Sequence, residues 1–233
     1  GSAGSFDDRA KKITRAFVKI LNKAGVNFGV LGTEESSSGD AAKRAGNEFL
    51  FQMQALTNIE VMNSYNIKRI VTTCPHSYNT LKNEYKALGG NYNVVHHTEF
   101  ILALIKDDKL IIKGDLTDKK ITYHDPCYLG RGNNVYDQPR EVIKSLGIDI
   151  VEMKRSRRKS FCCGAGGAQM FKEAENGTQD ININRTQEAL DLQVDIIATG
   201  CPFCNTMMTD EVKSVNEGSA EVLDIAELIA ENI

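Results

Sequence analysis

No stretch of this 233-residue chain reaches the roughly 18–20 consecutive apolar residues that a bilayer-crossing helix needs, which excludes a membrane span within it. The opening segment, GSAGSFDDRA, lacks an apolar signal core, so nothing marks the chain for secretion and a cytoplasmic location is expected. Basic excess is lacking too. The 28 Lys+Arg face 31 Asp+Glu, and the net charge of −3 argues against bulk nucleic-acid binding. What remains is ordinary soluble composition, 41% hydrophobic and 25% charged, enough for one large domain or two small ones. Cysteine is sparse, with six in all, but its placement at 74, 127, 162, 163, 201 and 204 is uneven. Without an export signal, such clustering suggests metal or redox chemistry rather than structural disulfides.

Apolar periodicity alternates between helical and strand patterns, which predicts an α/β fold with a largely parallel sheet. Ala10, Ile13, Phe17, Ile20 and Leu21 predict an amphipathic helix over 7–24, closed by Gly25. A strand is expected at 26–31, a long helix around Phe49 to Ile59, a short strand Ile70–Thr72 ending at Cys74, a helix from Ser77, a strand at 92–95 and an apolar helix at 100–105. The second half runs through the same order. Strands are expected at 120–123, 148–153, 196–198 and 221–223, with helices at 139–146, 165–190 and 225–233. The charged segment 106–118 is the expected boundary between residues 1–115 and 116–233.

The two halves overlay. Thr73-Cys74-Pro75-His76-Ser77 lies over Gly200-Cys201-Pro202-Phe203-Cys204, and Ser37-Ser38-Gly39 over Cys162-Cys163-Gly164. Cys127 precedes Cys162 by 35 positions, as Ser2 precedes Ser37. The five cysteines of the second half thus map onto Ser2, Ser37, Ser38, Cys74 and Ser77, in a chain with only twelve serines. The fold expected is therefore two pseudo-repeated Rossmann-like modules, the first with its cysteine site replaced oxygen for sulfur at four of five positions.

Three segments carry the complete set: His124-Asp125-Pro126-Cys127, Phe161-Cys162-Cys163-Gly164 and Gly200-Cys201-Pro202-Phe203-Cys204. Each reads as a strand-to-helix turn, and such turns gather at the carboxyl edge of an open sheet, where ligands bind. Helix N-termini there would favour thiolates. Thiolates in this number suit an iron–sulfur cluster, with Gly164, Gly166 and Gly167 letting backbone amides reach the sulfurs. Five exceed the four ligands of one cubane, so one either bridges two irons or stays free.

The motifs HDPCYLGR at 124–131, FCCGAGG at 161–167 and GCPFC at 200–204 resemble the cysteine-rich CCG domain of heterodisulfide reductase B and D subunits and of glycolate oxidase iron–sulfur subunits. GDAAKRAGNEFLFQ at 39–52 and CPHSYNTLKNEY at 74–85 extend the resemblance through the first half. It implies an oxidoreductase module in which Cys127, Cys162, Cys163, Cys201 and Cys204 hold a [4Fe-4S] cluster of the noncubane kind. It also implies electron exchange with a flavoprotein or ferredoxin-type subunit and with a disulfide or a quinone-linked chain.

Plainer readings stand beside this one. Zinc also uses CxxC, so a zinc-stabilised or cluster-free interaction scaffold is the rival. Cys74 reads as a buried thiol, and His76, His96 and His97 as packing groups rather than zinc ligands. His124 and Asp125 are either proton relays or turn-capping residues. The run Lys154 to Lys159, with Arg155, Arg157, Arg158 and Lys159, is either a solvated loop or a dock for an acidic redox partner or an anionic disulfide.

Overall fold

The computed structural model of the chain describes residues 2–173, 176–216 and 218–233, the side chains of Ser2 and Asn216 excepted. A short helix α1 (Ser2–Phe6) leads into α2 (Asp8–Lys23), whose first turn is capped by the Asp7 carboxylate accepting from the Ala10 N–H at 2.7 Å. After an irregular stretch come α3 (Asp40–Arg44), α4 (Glu48–Ser64), β1 (Arg69–Thr72), α5 (Pro75–Asn79), β2 (Asn93–His96) and α6 (His97–Lys106). The second half holds β3 (Ile121–Tyr123), α7 (Gly130–Asn133), α8 (Asp137–Lys144), α9 (Ile181–Leu190), β4 (Ile196–Thr199), α10 (Pro202–Asn216), β5 (Glu221–Asp224) and α11 (Ile225–Glu231).

All strand pairing is parallel. β1 pairs with β2 in register Arg69 to Asn93, and a second sheet runs β3-β4-β5 with Ile121 against Ile196 and Ile196 against Glu221. The α/β expectation therefore holds, with two small parallel sheets.

Three expected elements differ. Residues 26–31 form no strand, and Val30 is 78% exposed, because no neighbouring strand offers a ladder to that segment. Residues 148–153 reduce to a single bridge, Ile150 to Ile121. Of the α-helix expected over 165–190, the described residues form only Ile181–Leu190, residues 174 and 175 lying outside them. Upstream of it, Gly164, Gly167 and Ala168 hold φ of +89°, +67° and +62°, a backbone no right-handed helix accepts.

The halves share one core. Ile13, Phe17, Ile20 and Leu21 of α2 join Ile121, Leu223, Leu228 and Ile229 of the second half in the largest apolar cluster, α2 lying against α11. Arg9 fixes this crossing, with Nη1 2.6 Å from Glu227 Oε1 and Nη2 donating to the Val222 carbonyl at 2.8 Å. In return α8 of the second half packs on α6 of the first, bringing Val142 and Ile143 to Phe100, Ile101 and Leu104. The strand-to-helix corners match as well. His96 with Glu99 caps α6, and Asp224 with Glu227 caps α11, each as a reciprocal capping box. The start of α6 touches the cap of α11: His97 Nε2 lies 2.9 Å from Asp224 Oδ1, both fully buried.

Candidate iron–sulfur site

β3 ends at Tyr123, and the His124 N–H continues its ladder to the Ala198 carbonyl at 2.9 Å before the chain turns through Pro126 to Cys127. β4 ends at Thr199, so Cys201 stands immediately before α10 and Cys204 in that helix's first turn. Cys162 and Cys163 sit in a loop without a following helix, so only the Cys201–Cys204 segment gains a long helix N-terminus. Cys163, Cys201 and Cys204 are buried, at 3%, 0% and 3% exposure, among partly buried Met170, Phe203 and Met207. Met208 fills a separate core.

The five sulfurs form one continuous hydrogen-bonded chain, Cys127–Cys162–Cys163–Cys204–Cys201. The pKa of Cys162 is strongly lowered. Hydrogen bonds from the Cys127 and Cys163 thiols hold it far below the usual thiol range, and the Gly164 N–H at 3.3 Å adds to them. Cys127 is correspondingly pushed up by sharing its proton with Cys162, and burial adds to that. Burial alone would raise Cys201. The Cys204 thiol, His76 and the amides of Cys204 and Phe203 outweigh burial and lower it. Soft sulfurs crowded together, three of them buried and Cys127 and Cys162 half-buried, are the donor set of an iron–sulfur cluster, and the residues fit one.

Two buried arginines frame the pocket, and neither has a sequence motif to announce it. Arg140 of α8 is 4% exposed and grips Asp125 with both nitrogens, Nη1 to Oδ1 at 2.7 Å and Nη2 to Oδ2 at 2.9 Å. Asp125 also accepts from the Arg157 N–H at 2.7 Å, while Ser160 Oγ donates to the Asp125 carbonyl at 3.0 Å. Asp125 thus ties the Cys127 turn to the basic segment. Arg185 of α9 is fully buried, and its Nε donates to His124 Nδ1 at 3.0 Å. Burial first, and the Arg185 charge second, hold His124 well below the ordinary imidazole range. Within the basic run, Arg155 pairs with Glu188 at 2.8 Å and Arg157 with Asp137 at 2.7 Å. Arg158 and Lys159 are exposed.

The first half repeats this local geometry in oxygen. The Gly39 N–H donates to Ser37 Oγ at 3.2 Å, with Gly39 at φ +83°, as Gly164 does to Cys162. Ser77 Oγ lies 3.4 Å from Ser38 Oγ, the counterpart of the Cys204–Cys163 contact. The amides of Ser77 and His76 approach the Cys74 sulfur as those of Cys204 and Phe203 approach Cys201. Cys74 is buried, and burial together with the nearby Cys201 charge pushes it up to about 12. The Ser2 side chain lies outside the described residues. His76 reaches across the interface, its Nδ1 2.8 Å from Asp40 and its ring 4.5 Å from Tyr128 and 5.4 Å from Phe203.

Paired parallel sheets whose carboxyl edges converge on a five-thiol pocket define a tandem cysteine-rich α/β protein of the iron–sulfur oxidoreductase kind. The chain belongs to the cysteine-rich domain (CCG) family, which matches it twice, over residues 4–82 and 121–209. It is 48% identical to EtfAB:quinone oxidoreductase of Syntrophomonas wolfei, over 98% of this chain and 33% of that protein. It is 47% identical to the probable iron–sulfur-binding oxidoreductase FadF of Bacillus subtilis, over 100% of this chain and 33% of that protein. Identity is 34% with the D polypeptide of the dihydromethanophenazine:CoB–CoM heterodisulfide reductase of Methanosarcina barkeri, over 91% of this chain and 53% of that one. The chain thus spans about a third of the length of the first two relatives. Among the described residues no helix is long and apolar enough to cross a membrane.

Proposed function

We propose that this chain is the cluster-carrying electron-transfer module of a larger oxidoreductase. Cys127, Cys162, Cys163, Cys201 and Cys204 would hold a [4Fe-4S] cluster of the noncubane kind, five thiols being one more than a cubane engages. The observation that carries this reading is the unbroken sulfur contact from Cys127 to Cys201. A cluster bound there supplies one-electron chemistry. The chain's own part is to bury the thiolates, to aim the Gly164, Phe203 and Cys204 amides at them, and to hold the Cys127 turn through Asp125 and Arg140.

The names of the relatives support a flavoprotein electron donor and a quinone-linked acceptor, with a disulfide as the other acceptor in view. Arg158 and Lys159, exposed on the strap that Asp125 ties to the Cys127 turn, suit docking of an acidic partner or an anionic disulfide, with Arg155 and the exposed Arg157 holding the strap through Glu188 and Asp137. Residues 1–115 and 116–233 are read as two copies of one cluster-binding unit. Ser2, Ser37, Ser38, Cys74 and Ser77 are the silenced site of the first copy.

Stopped-flow spectroscopy tests the reading. Iron-loaded, dithionite-reduced protein is mixed anaerobically with an oxidised flavoprotein, with a short-chain quinone or with a small anionic disulfide. Return of the oxidised spectrum with at least one acceptor is expected. A reduced spectrum that persists with all three would overturn it.

A further inference from the structure

One ring beside the five sulfurs has its proton placed by its neighbour. Nδ1 of His124 lies 3.0 Å from Nε of Arg185. A guanidinium carries five N–H donors and no acceptor, and it stays charged. Nδ1 must therefore be the accepting lone pair, which leaves the ring's single hydrogen on Nε2. Arg185 has no freedom to turn away. It is fully buried, and its Nη1 donates to the Arg155 carbonyl and to Glu188 Oε2, each at 2.9 Å.

A nitrogen of the His124 ring and the sulfurs of Cys163 and Cys204 all lie within 4.8 Å of one another. By residue type this trio looks like a metal site. Metal coordination, however, takes a nitrogen lone pair. Here one nitrogen's lone pair already accepts from Arg185, and the other nitrogen is protonated.

We propose that His124 donates a hydrogen bond from Nε2 to the cluster thiolates, positioned by Arg185, and that this donation raises the reduction potential of the cluster. The proposal rests on the iron–sulfur reading above. Hydrogen bonds to ligand sulfurs spread their negative charge and so favour the electron-richer state. Arg185 is on this account a positioning residue, setting which edge of the ring faces sulfur.

His124→Leu and His124→Gln, purified anaerobically beside the wild-type chain, separate the possibilities. Both variants should keep the wild-type iron content. At a fixed potential the leucine variant should show an oxidised-to-reduced ratio raised about tenfold, a shift of about 59 mV for one electron. Glutamine, whose amide restores a donor, should return most of that shift. Iron lost from both variants would make His124 a ligand and overturn the proposal, as would an unchanged potential in the leucine variant. Should leucine prevent folding, wild-type protein labelled with 15N-histidine decides. A weak nitrogen coupling transmitted through a hydrogen bond is expected in the paramagnetic state of the cluster. A strong coupling from a bound nitrogen, or none, would overturn it. A wild-type chain that binds no iron would instead defeat the cluster reading itself.

Discussion

Ser77 Oγ lies 3.4 Å from Ser38 Oγ, and these two hydroxyls stand where Cys204 and Cys163 stand in the other half. Hydroxyls are hard, weak ligands beside thiolates, so the first-half turns keep their shape without the donor chemistry. Returning Ser2, Ser37, Ser38 and Ser77 to cysteine together is expected to raise iron bound after anaerobic reconstitution to about twice the wild-type amount. Unchanged iron in a folded quadruple variant would refute the silenced-site idea.

Within the second half the sulfurs act as one set. Cys162→Ser removes the sulfur that links Cys127 to Cys163, and Cys201→Ser removes the end of the chain at α10. Each should abolish cluster assembly. Cys74→Ser should leave iron content unchanged, although Cys74 lies close enough to feel the Cys201 charge. Iron analysis of the three variants checks this, and equal loss from all three would sink the one-site account.

Asp125 and Arg140 form a bidentate pair, with side chains only 2% and 5% exposed. Removing one member strands a buried charge, which costs about 3–5 kcal/mol in general. Glu152, 38% exposed, also holds Arg140 and would keep that cation partnered, whereas Asp125 would lose its main counter-ion. Arg140→Met is therefore expected to destabilise the chain by about 3 kcal/mol, read from urea unfolding midpoints. Asp125→Asn, which leaves Arg140 paired with Glu152, should cost less.

Acid sensitivity has a local source in Glu188. Its burial would raise it, but the Arg155 amide, Arg185 and the Arg155 side chain hold it below the ordinary glutamate value of 4.5. A carboxyl lowered on folding contributes stability that is complete above its unfolded value and fades as pH falls through the folded one. Glu188→Gln should therefore lower stability at pH 7 and narrow its gap to wild type below about pH 4.5. Unfolding curves at several pH values check the narrowing, and a gap that stays constant with pH would contradict it.

Much of this was legible from residue order. The long helix α2, the short strands before Cys74 and Cys201, and the second-half cysteine motifs all follow from period and punctuation. The turn glycines are equally plain, because Gly39 and Gly164 both take a positive φ after a pair of small polar or sulfur side chains. The exchange of α2 and α8 between halves was not legible. An amphipathic helix shows that a face is buried but not against which neighbour. Arg140 and Arg185 escaped for a related reason, since a charged residue on a helix reads as exposed until its buried partner is known. The overlong 165–190 helix failed because the three glycines at 164, 166 and 167 outweigh the helical periodicity that follows them.

The central claim is that five thiols of the second half hold an iron–sulfur cluster. Iron, acid-labile sulfide and zinc measured together on anaerobically purified protein test it most directly. The account predicts a brown protein with broad visible absorbance, about four iron and four sulfide per chain, and no zinc. A colourless protein carrying one zinc per chain after anaerobic reconstitution with iron and sulfide would contradict it.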